Sequence, residues 1–244
     1  MQRALPSSNM IDVYSWATPN GHKVHIMLEE CGYQLGKDWM AHPIDIGAGE
    51  QFDKNFLAIS PNNKIPAIVD PNGPDGKPIH LFESGAILIY LAAKSGKFMP
   101  KNIRGKYEVL QWLMFQMGGV GPMLGQNHHF RLYAPEKIDY AINRYTNEAQ
   151  RIYGVLDQQL KDNAYIAGNT YSIADIAIFP WTRNWKNQGI NIDEYPHFKK
   201  WFQKIGDRPA VKRGVEVLAS LRQPLHDAKA KEQLFGLTQY QKRK

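Results

Sequence analysis

Three short stretches of this sequence gather side chains able to hold a small ionic ligand. Thr18-Pro19-Asn20-Gly21 offers a hydroxyl and an amide at the start of a helix, a setting that stabilises an anion, a thiolate included. Phe82-Glu83-Ser84-Gly85 lies where a strand gives way to a helix. Backbone N–H groups and the Ser84 hydroxyl there can hold a carboxylate, and Glu83 can pair with an ammonium. An amino-acid head group carries both charges and suits the pair, although a plain serine cap explains Ser84 better as an isolated feature. In Asn62-Asn63-Lys64-Ile65-Pro66-Ala67-Ile68-Val69 a proline opens a strand, where its missing donor does no harm. A cis Ile65–Pro66 bond would leave the N–H and C=O of Ile65 to pair with a peptide-like ligand; spacing alone favours an ordinary trans turn.

Other signals carry less. Gly119-Val120-Gly121 with Gly125 is not a dinucleotide fingerprint and follows no strand. His128 and His129 are adjacent rather than one helical turn apart, so no metal site is expected. Cys31, the one cysteine, falls on an apolar helix stripe and reads as a buried small hydrophobe, not a nucleophile. No GxSxG elbow is present.

The elements around these stretches form two patterns. Residues 11–16 alternate as a strand, and Asn20 is placed to cap the helix that follows. Val24, Met27, Leu28 and Cys31 make its buried stripe, and Gly32 can end it. Residues 42–46 read as a second strand. Residues 65–69 and 79–82 flank a turn-rich link that suits a hairpin, and residues 84–93 form an apolar helix. After a linker at 95–100 the period is helical: Tyr107, Leu110, Met114 and Met117 make one stripe. Ile138, Ile142, Tyr145, Ala149, Ile152 and Leu156 make another, with a break or bend expected at 118–125. Ser172-Ile173-Ala174-Asp175 has capping-box spacing. The arrangement implies a β/α domain over 10–94, an all-helical domain over 103–222 and a tail over 223–244, in keeping with usual domain sizes.

Composition agrees with a folded globular chain: of 244 residues, 43% are hydrophobic and 22% charged. The net charge of +7 is partly explained by residues 225–244, which hold five basic and two acidic side chains. Lys242-Arg243-Lys244 reads as a solvated tail, so no nucleic-acid partner is expected. No apolar run approaches a membrane span, the start over residues 1–9 lacks a secretory h-region, and a single cysteine excludes a disulfide framework. These features point to the cytosol, away from membranes.

The β-α-β, α-β-β-α order, with Asn-Lys-Ile-Pro-Ala before the hairpin and Glu-Ser before its last helix, resembles the glutathione transferase superfamily. More narrowly, Thr18-Pro19-Asn20-Gly21-His22-Lys23, Ile59-Ser60-Pro61-Asn62-Asn63-Lys64-Ile65-Pro66 and the stretch from Gly121-Pro122-Met123 to His129-Phe130 resemble its nu class. Those bacterial disulfide-bond oxidoreductases are similar to the globular domain of the yeast nitrogen-regulatory prion protein. The resemblance spans residue 10 to about 222. It implies a thioredoxin-like N-terminal domain, a helical C-terminal domain, glutathione as cosubstrate, glutathione disulfide or another small disulfide as partner, and a homodimer. It further implies that Glu83 and Ser84 bind the γ-glutamyl group and that Ile65 pairs with the cysteinyl part beside cis-Pro66. Gln51 and Lys64 would take the glycine end, Asn20 and Thr18 the sulfur, and Arg144, with Arg151 as rival, would reach glutathione. Conjugation to electrophiles, with Tyr14 or Ser15 activating the thiol, is the alternative activity. A glutathione-binding regulatory or scaffold module is the non-catalytic one.

Overall fold

A computed structural model of the chain describes residues 9–222 and 228–241. The reading of residues 1–9 as lacking a leader lies almost wholly outside them, as does that of Lys242, Arg243 and Lys244 as a solvated tail. Contacts divide the chain into two units, Met1–Ile87 with Val215–Lys244, and Leu88–Gly214.

The first unit is built on a mixed sheet of order β2-β1-β3-β4. Strand β1 (Ile11–Ser15) runs into helix α1 (Pro19–Cys31), which returns the chain to β2 (Trp39–Pro43), parallel to β1. A parallel pair needs such a crossover. After the short helix α2 (Lys54–Leu57), β3 (Ala67–Asp70) and β4 (Ile79–Phe82) form the expected antiparallel hairpin and lead into α3 (Ser84–Ser95). Val13, Val24, Met27, Leu28 and Ile68 are wholly buried, so the expected α1 stripe is core, and Gly32 ends α1 in the left-handed region at φ 86°.

Three boundaries differ from the sequence reading. Strand β2 starts at Trp39, not residue 42, because the parallel ladder begins at Ile11↔Trp39 and reaches the end of β1 at Ser15↔Pro43. Strand β3 starts after Pro66, which has no N–H to give the ladder. Helix α1 is capped by Thr18 rather than Asn20: Pro19 takes the first helical position, and the Thr18 hydroxyl accepts from the Gly21 N–H at 3.4 Å.

The second unit is helical throughout. Helix α4 (Ile103–Phe115) is capped by Asn102 and does not break at the glycines. It widens into a π turn over Gln116–Val120 and continues as α5 (Gly121–His128), then a second π turn over His129–Tyr133. Small residues there serve close packing, since a Cβ on Gly125 would lie 3.3 Å from the Trp181 ring. The ridge buried along α4 and the π turn is Val109, Leu113, Gln116 and Val120; Tyr107 and Met114 of the expected stripe are 64% and 53% exposed. Helix α6 (Asp139–Lys161) buries Ala149, Ile152, Tyr153, Leu156 and Leu160, while Ile138 at the start of its expected stripe is exposed.

Helix α7 (Ile173–Thr182) opens with the expected capping box of Ser172 and Asp175. The fully buried Asp175 carboxylate also accepts from Ile166 N and from Trp201 Nε1 on α8 (Pro196–Gly206), each at 2.9 Å. Helix α9 (Pro209–Glu216) ends this run; α10 (Ala228–Phe235) and α11 (Thr238–Gln241) belong with the first unit. Among the described residues no helix is long and apolar enough to cross a membrane, and no cluster of His, Cys, Asp or Glu is placed to hold a metal ion.

Candidate active site

Strand registers bring the three sequence clusters to one end of the sheet. Tyr14 pairs with Ala67 and Ala67 with Phe82, so the chain leaving β1, the chain entering β3 and the chain leaving β4 are neighbours. Thr18 with Asn20, Ile65 with Pro66, and Glu83 with Ser84 all lie just past that edge.

At the first of these, accepting from Gly21 leaves the Thr18 hydroxyl its own hydrogen to donate. Asn20 sits half-buried in the first turn, which holds no acidic residue to offset the positive end of α1. Gly21 is required here, because a Cβ would come within 2.1 Å of the Trp16 carbonyl oxygen.

At the second, the Ile65–Pro66 bond is cis, as the family resemblance implied and spacing alone did not. Ile65 itself precedes β3 and takes no part in its ladder. The Ser60 hydroxyl donates to the Lys64 carbonyl at 2.8 Å and fixes the turn. Lys64 is exposed and its Nζ donates to Gln239 Oε1 of α11 at 3.2 Å.

At the third, helix α3 begins at Ser84 itself, and the Glu83 carbonyl accepts from Ile87 N at 3.0 Å. Ser84 is therefore a first-turn residue rather than the cap. Glu83 is held at φ 68°, a left-handed backbone that glutamate adopts only under constraint, and its side chain is exposed. Beneath it Lys23 Nζ donates to Ser84 Oγ at 3.2 Å, with Lys23 1% and Ser84 3% exposed. Burial pushes the Lys23 ammonium down to about 7 against the opposing pull of the Glu83 charge. Sequence reasoning missed Lys23; the available signal was a lysine among Val24, Ile26, Met27 and Leu28, in the buried body of α1.

Gln51 lies in a short 3₁₀ turn after Asp45, whose side chain accepts from Gly47 N and Ala48 N. It is 2% exposed, and its Oε1 has no hydrogen-bond partner among the described residues. Such a buried acceptor invites a ligand N–H. Arg144 belongs to the second unit, on α6, with its side chain 55% exposed and 4.0 Å from Glu148. Arg151 grips the same carboxylate through two bonds of 2.7 and 2.8 Å, holding the Glu148 carboxyl below its ordinary range. Arg151 also lines an open groove of about 590 Å3 with Trp112, Gln158 and Asp162, a place that holds none of the other nominated residues.

The thiol and hydroxyl alternatives fare differently. Cys31 ends α1, about 18 Å along the axis from Pro19 at 1.5 Å per residue, and is buried. Ser15 is wholly buried and bonded to His25 Nε2 at 2.7 Å, while the Tyr14 ring stacks on His42 at 4.9 Å.

Known proteins share this organisation. Residues 17–94 match the glutathione S-transferase N-terminal domain and residues 122–209 the glutathione S-transferase C-terminal domain. The disulfide-bond oxidoreductase YfcG of Escherichia coli is 52% identical over 202 residues, covering 82% of this chain and 92% of that protein. The transcriptional regulator URE2 of Saccharomyces cerevisiae is 32% identical over 234 residues, covering 80% of this chain and 64% of its own length. A crystal structure of a glutathione transferase from Pseudomonas putida, with one glutathione disulfide bound per subunit, superposes with a TM-score of 0.82 at 43% identity, covering 87% of this chain and 94% of that one. The mixed sheet is thus the thioredoxin-like fold that the sequence led us to expect, and the helices of the second unit are its usual companion. On sequence and fold together, the chain belongs to the glutathione S-transferase family.

Proposed function

We propose that the chain is a glutathione-dependent disulfide-bond reductase of the nu class, in which glutathione and not a protein cysteine provides the reacting sulfur. The observation that carries this reading is the convergence of Thr18 and Asn20, Ile65, and Glu83 with Ser84 at one sheet end, while the sole cysteine is buried at the far end of α1. Glu83 pairs with the γ-glutamyl ammonium and Ser84 with its carboxylate. Ile65, beside cis-Pro66, pairs its backbone with the cysteinyl residue. Gln51 and Lys64 take the glycine end, the lysine giving up Gln239 for the carboxylate. Arg144, whose contact with Glu148 is the looser of the two arginines, is the arginine that reaches glutathione.

A free thiol near pKa 8.5 is only a few per cent ionised at neutral pH, so the protein's task is to favour the anion. Donors from Asn20 and Thr18 and the N-terminus of α1 do that. Glutathione thiolate displaces one thiolate from a small disulfide to form a mixed disulfide, and a second glutathione thiolate displaces the other, leaving glutathione disulfide and two thiols after protonation.

Conjugation of glutathione to electrophiles would use the same anion, but Ser15 is committed to His25 inside the fold. Exposed Tyr107, Met114 and Ile138 support a homodimer whose interface covers part of the helical unit. The cytoplasm is the proposed compartment, since the reaction draws on a reduced glutathione pool.

Glutathione-coupled reduction of a small mixed disulfide, compared with turnover of an aryl halide, tests the assignment. Cys31→Ala protein is expected to retain the reductase rate within about twofold, its stability lower by no more than about 1 kcal/mol. Loss of reduction in folded Cys31→Ala protein would sink the cysteine-free mechanism.

A further inference from the structure

We propose that helices α10 and α11 form a strap that closes the glycine end of the glutathione site, so that this end fills only when residues 228–241 lift away. The inference rests on the glutathione reading above and deepens it by adding a gate.

Gln51 supplies the first reason. Its side chain is 2% exposed and its Oε1 has no hydrogen-bond partner among the described residues, so a ligand N–H meets it only after something nearby moves. The turn that carries it is stiff. Asp45 N donates to Glu50 Oε2 at 2.7 Å, and the Asp45 carboxylate accepts from Gly47 N and Ala48 N at 2.9 and 3.1 Å. Helix α10 lies against this turn: a Cβ on Gly47 would stand 3.4 Å from the Ala230 Cβ, an ordinary contact distance. Gln239 Oε1 of α11 accepts from Lys64 Nζ at 3.2 Å. The two segments assigned to the glycine end, the Gln51 turn and Lys64, therefore both carry a contact to the strap.

The strap is one body that buries little. Thr238 N and Oγ1 both donate to Glu232 Oε1, at 3.1 and 3.0 Å, which ties α11 to α10. Among the described side chains of the two helices only Ala230 is buried, so little apolar surface opposes their release. Opening of such a segment stands in series with binding, and the apparent Kd is the intrinsic value divided by the open fraction. Loosening the strap tightens binding and locking it weakens binding, with the sulfur and γ-glutamyl residues untouched.

Calorimetric titration of the full chain with reduced glutathione tests this. Wild-type protein that does not bind glutathione overturns the functional reading itself. Given binding, Gln239→Ala is expected to lower Kd about fivefold, and a Kd no lower than that of wild type overturns the strap alone. The double variant Gly47→Cys, Ala230→Cys places two sulfurs where a disulfide can join them. S-methylglutathione, whose blocked thiol cannot reduce that cross-link, is expected to bind the oxidised variant at least about tenfold more weakly than the reduced one. Equal affinity for the two forms, with the cross-link verified by mass spectrometry, overturns the proposal. Should the double variant not fold or not cross-link, amide hydrogen exchange of wild-type protein takes its place. Residues 228–235 are expected to exchange at least about threefold faster at saturation with glutathione. Exchange there that is unchanged or slower overturns the proposal.

Discussion

Each unit buries a charge, and the two are handled in opposite ways. In the helical unit the Asp175 carboxylate accepts from Ile166 N, Ser172 N, Ser172 Oγ and Trp201 Nε1, all within 3.2 Å. Those donors come from a loop, a helix start and a second helix, so the carboxylate is a staple. Burial still raises its pKa, with every hydrogen bond pulling the other way. In the sheet unit the Lys23 ammonium donates to the buried Ser84 hydroxyl, at the sheet end where the three sequence clusters meet. The same desolvation is thus met by several donors in one place and beside the candidate site in the other. A buried ion surrounded by its own chain's dipoles fixes a fold.

Removing the staple should have the largest consequence. Asp175→Ala strands the Ile166, Ser172 and Trp201 donors in the core and is expected to cost at least about 3 kcal/mol in urea unfolding. A loss below about 1 kcal/mol would erase the contrast, making Asp175 no more structural than Lys23. Next in size is Asn20→Ala at the sheet end. Loss of a donor to the thiolate is expected to lower kcat for disulfide reduction about a hundredfold with little change in unfolding free energy. A variant equally lowered in both would return Asn20 to a structural role.

The effect that is smallest at any one pH step is a slope. Lys23 keeps its proton up to about 10.5 when unfolded but only to about 7 when folded, so between those values the unfolded chain binds more protons. Stability from this group therefore rises with pH across that window, by at most about 1.4 kcal/mol per pH unit, and is flat on either side. The slope appears as the difference between wild-type and Lys23→Met unfolding curves measured from pH 6 to pH 10, an interval of about four units. Superposed pH profiles would mean that Lys23 is solvated as an ordinary lysine.

Much of this was readable from residues alone where the signal is local. The β4 strand, the hairpin turn, the α1 stripe with Gly32, and the Ser172–Asp175 box depend on neighbours in sequence, and each stands as expected. What escaped depends on partners distant in sequence. Helix α4 carries two apolar ridges of valid helical period, and only packing against α7 selects Val109 and Leu113 over Tyr107 and Met114. The glycines at 118–125 read as a break because the role of Gly121 and Gly125, admitting the Trp181 ring, belongs to another helix. Strand β2 was displaced because its register is set by Ile11. In the candidate site the three clusters were legible as chemistry, but Lys23 was not, since its side-chain partner is a hydroxyl 61 positions away.

The bond between Lys64 and Gln239 has a practical consequence. A carboxylate docking on Lys64 does not meet a solvated amine; it trades places with an amide oxygen supplied by the chain's own C-terminal stretch. If Lys64 takes the glycine carboxylate as proposed, affinity there is a competition whose rival is tethered, present at constant local concentration and undiminished by dilution. Fusion partners or affinity tags placed after Lys244 would alter that rival, so binding constants measured on tagged protein describe the tag as well as the enzyme.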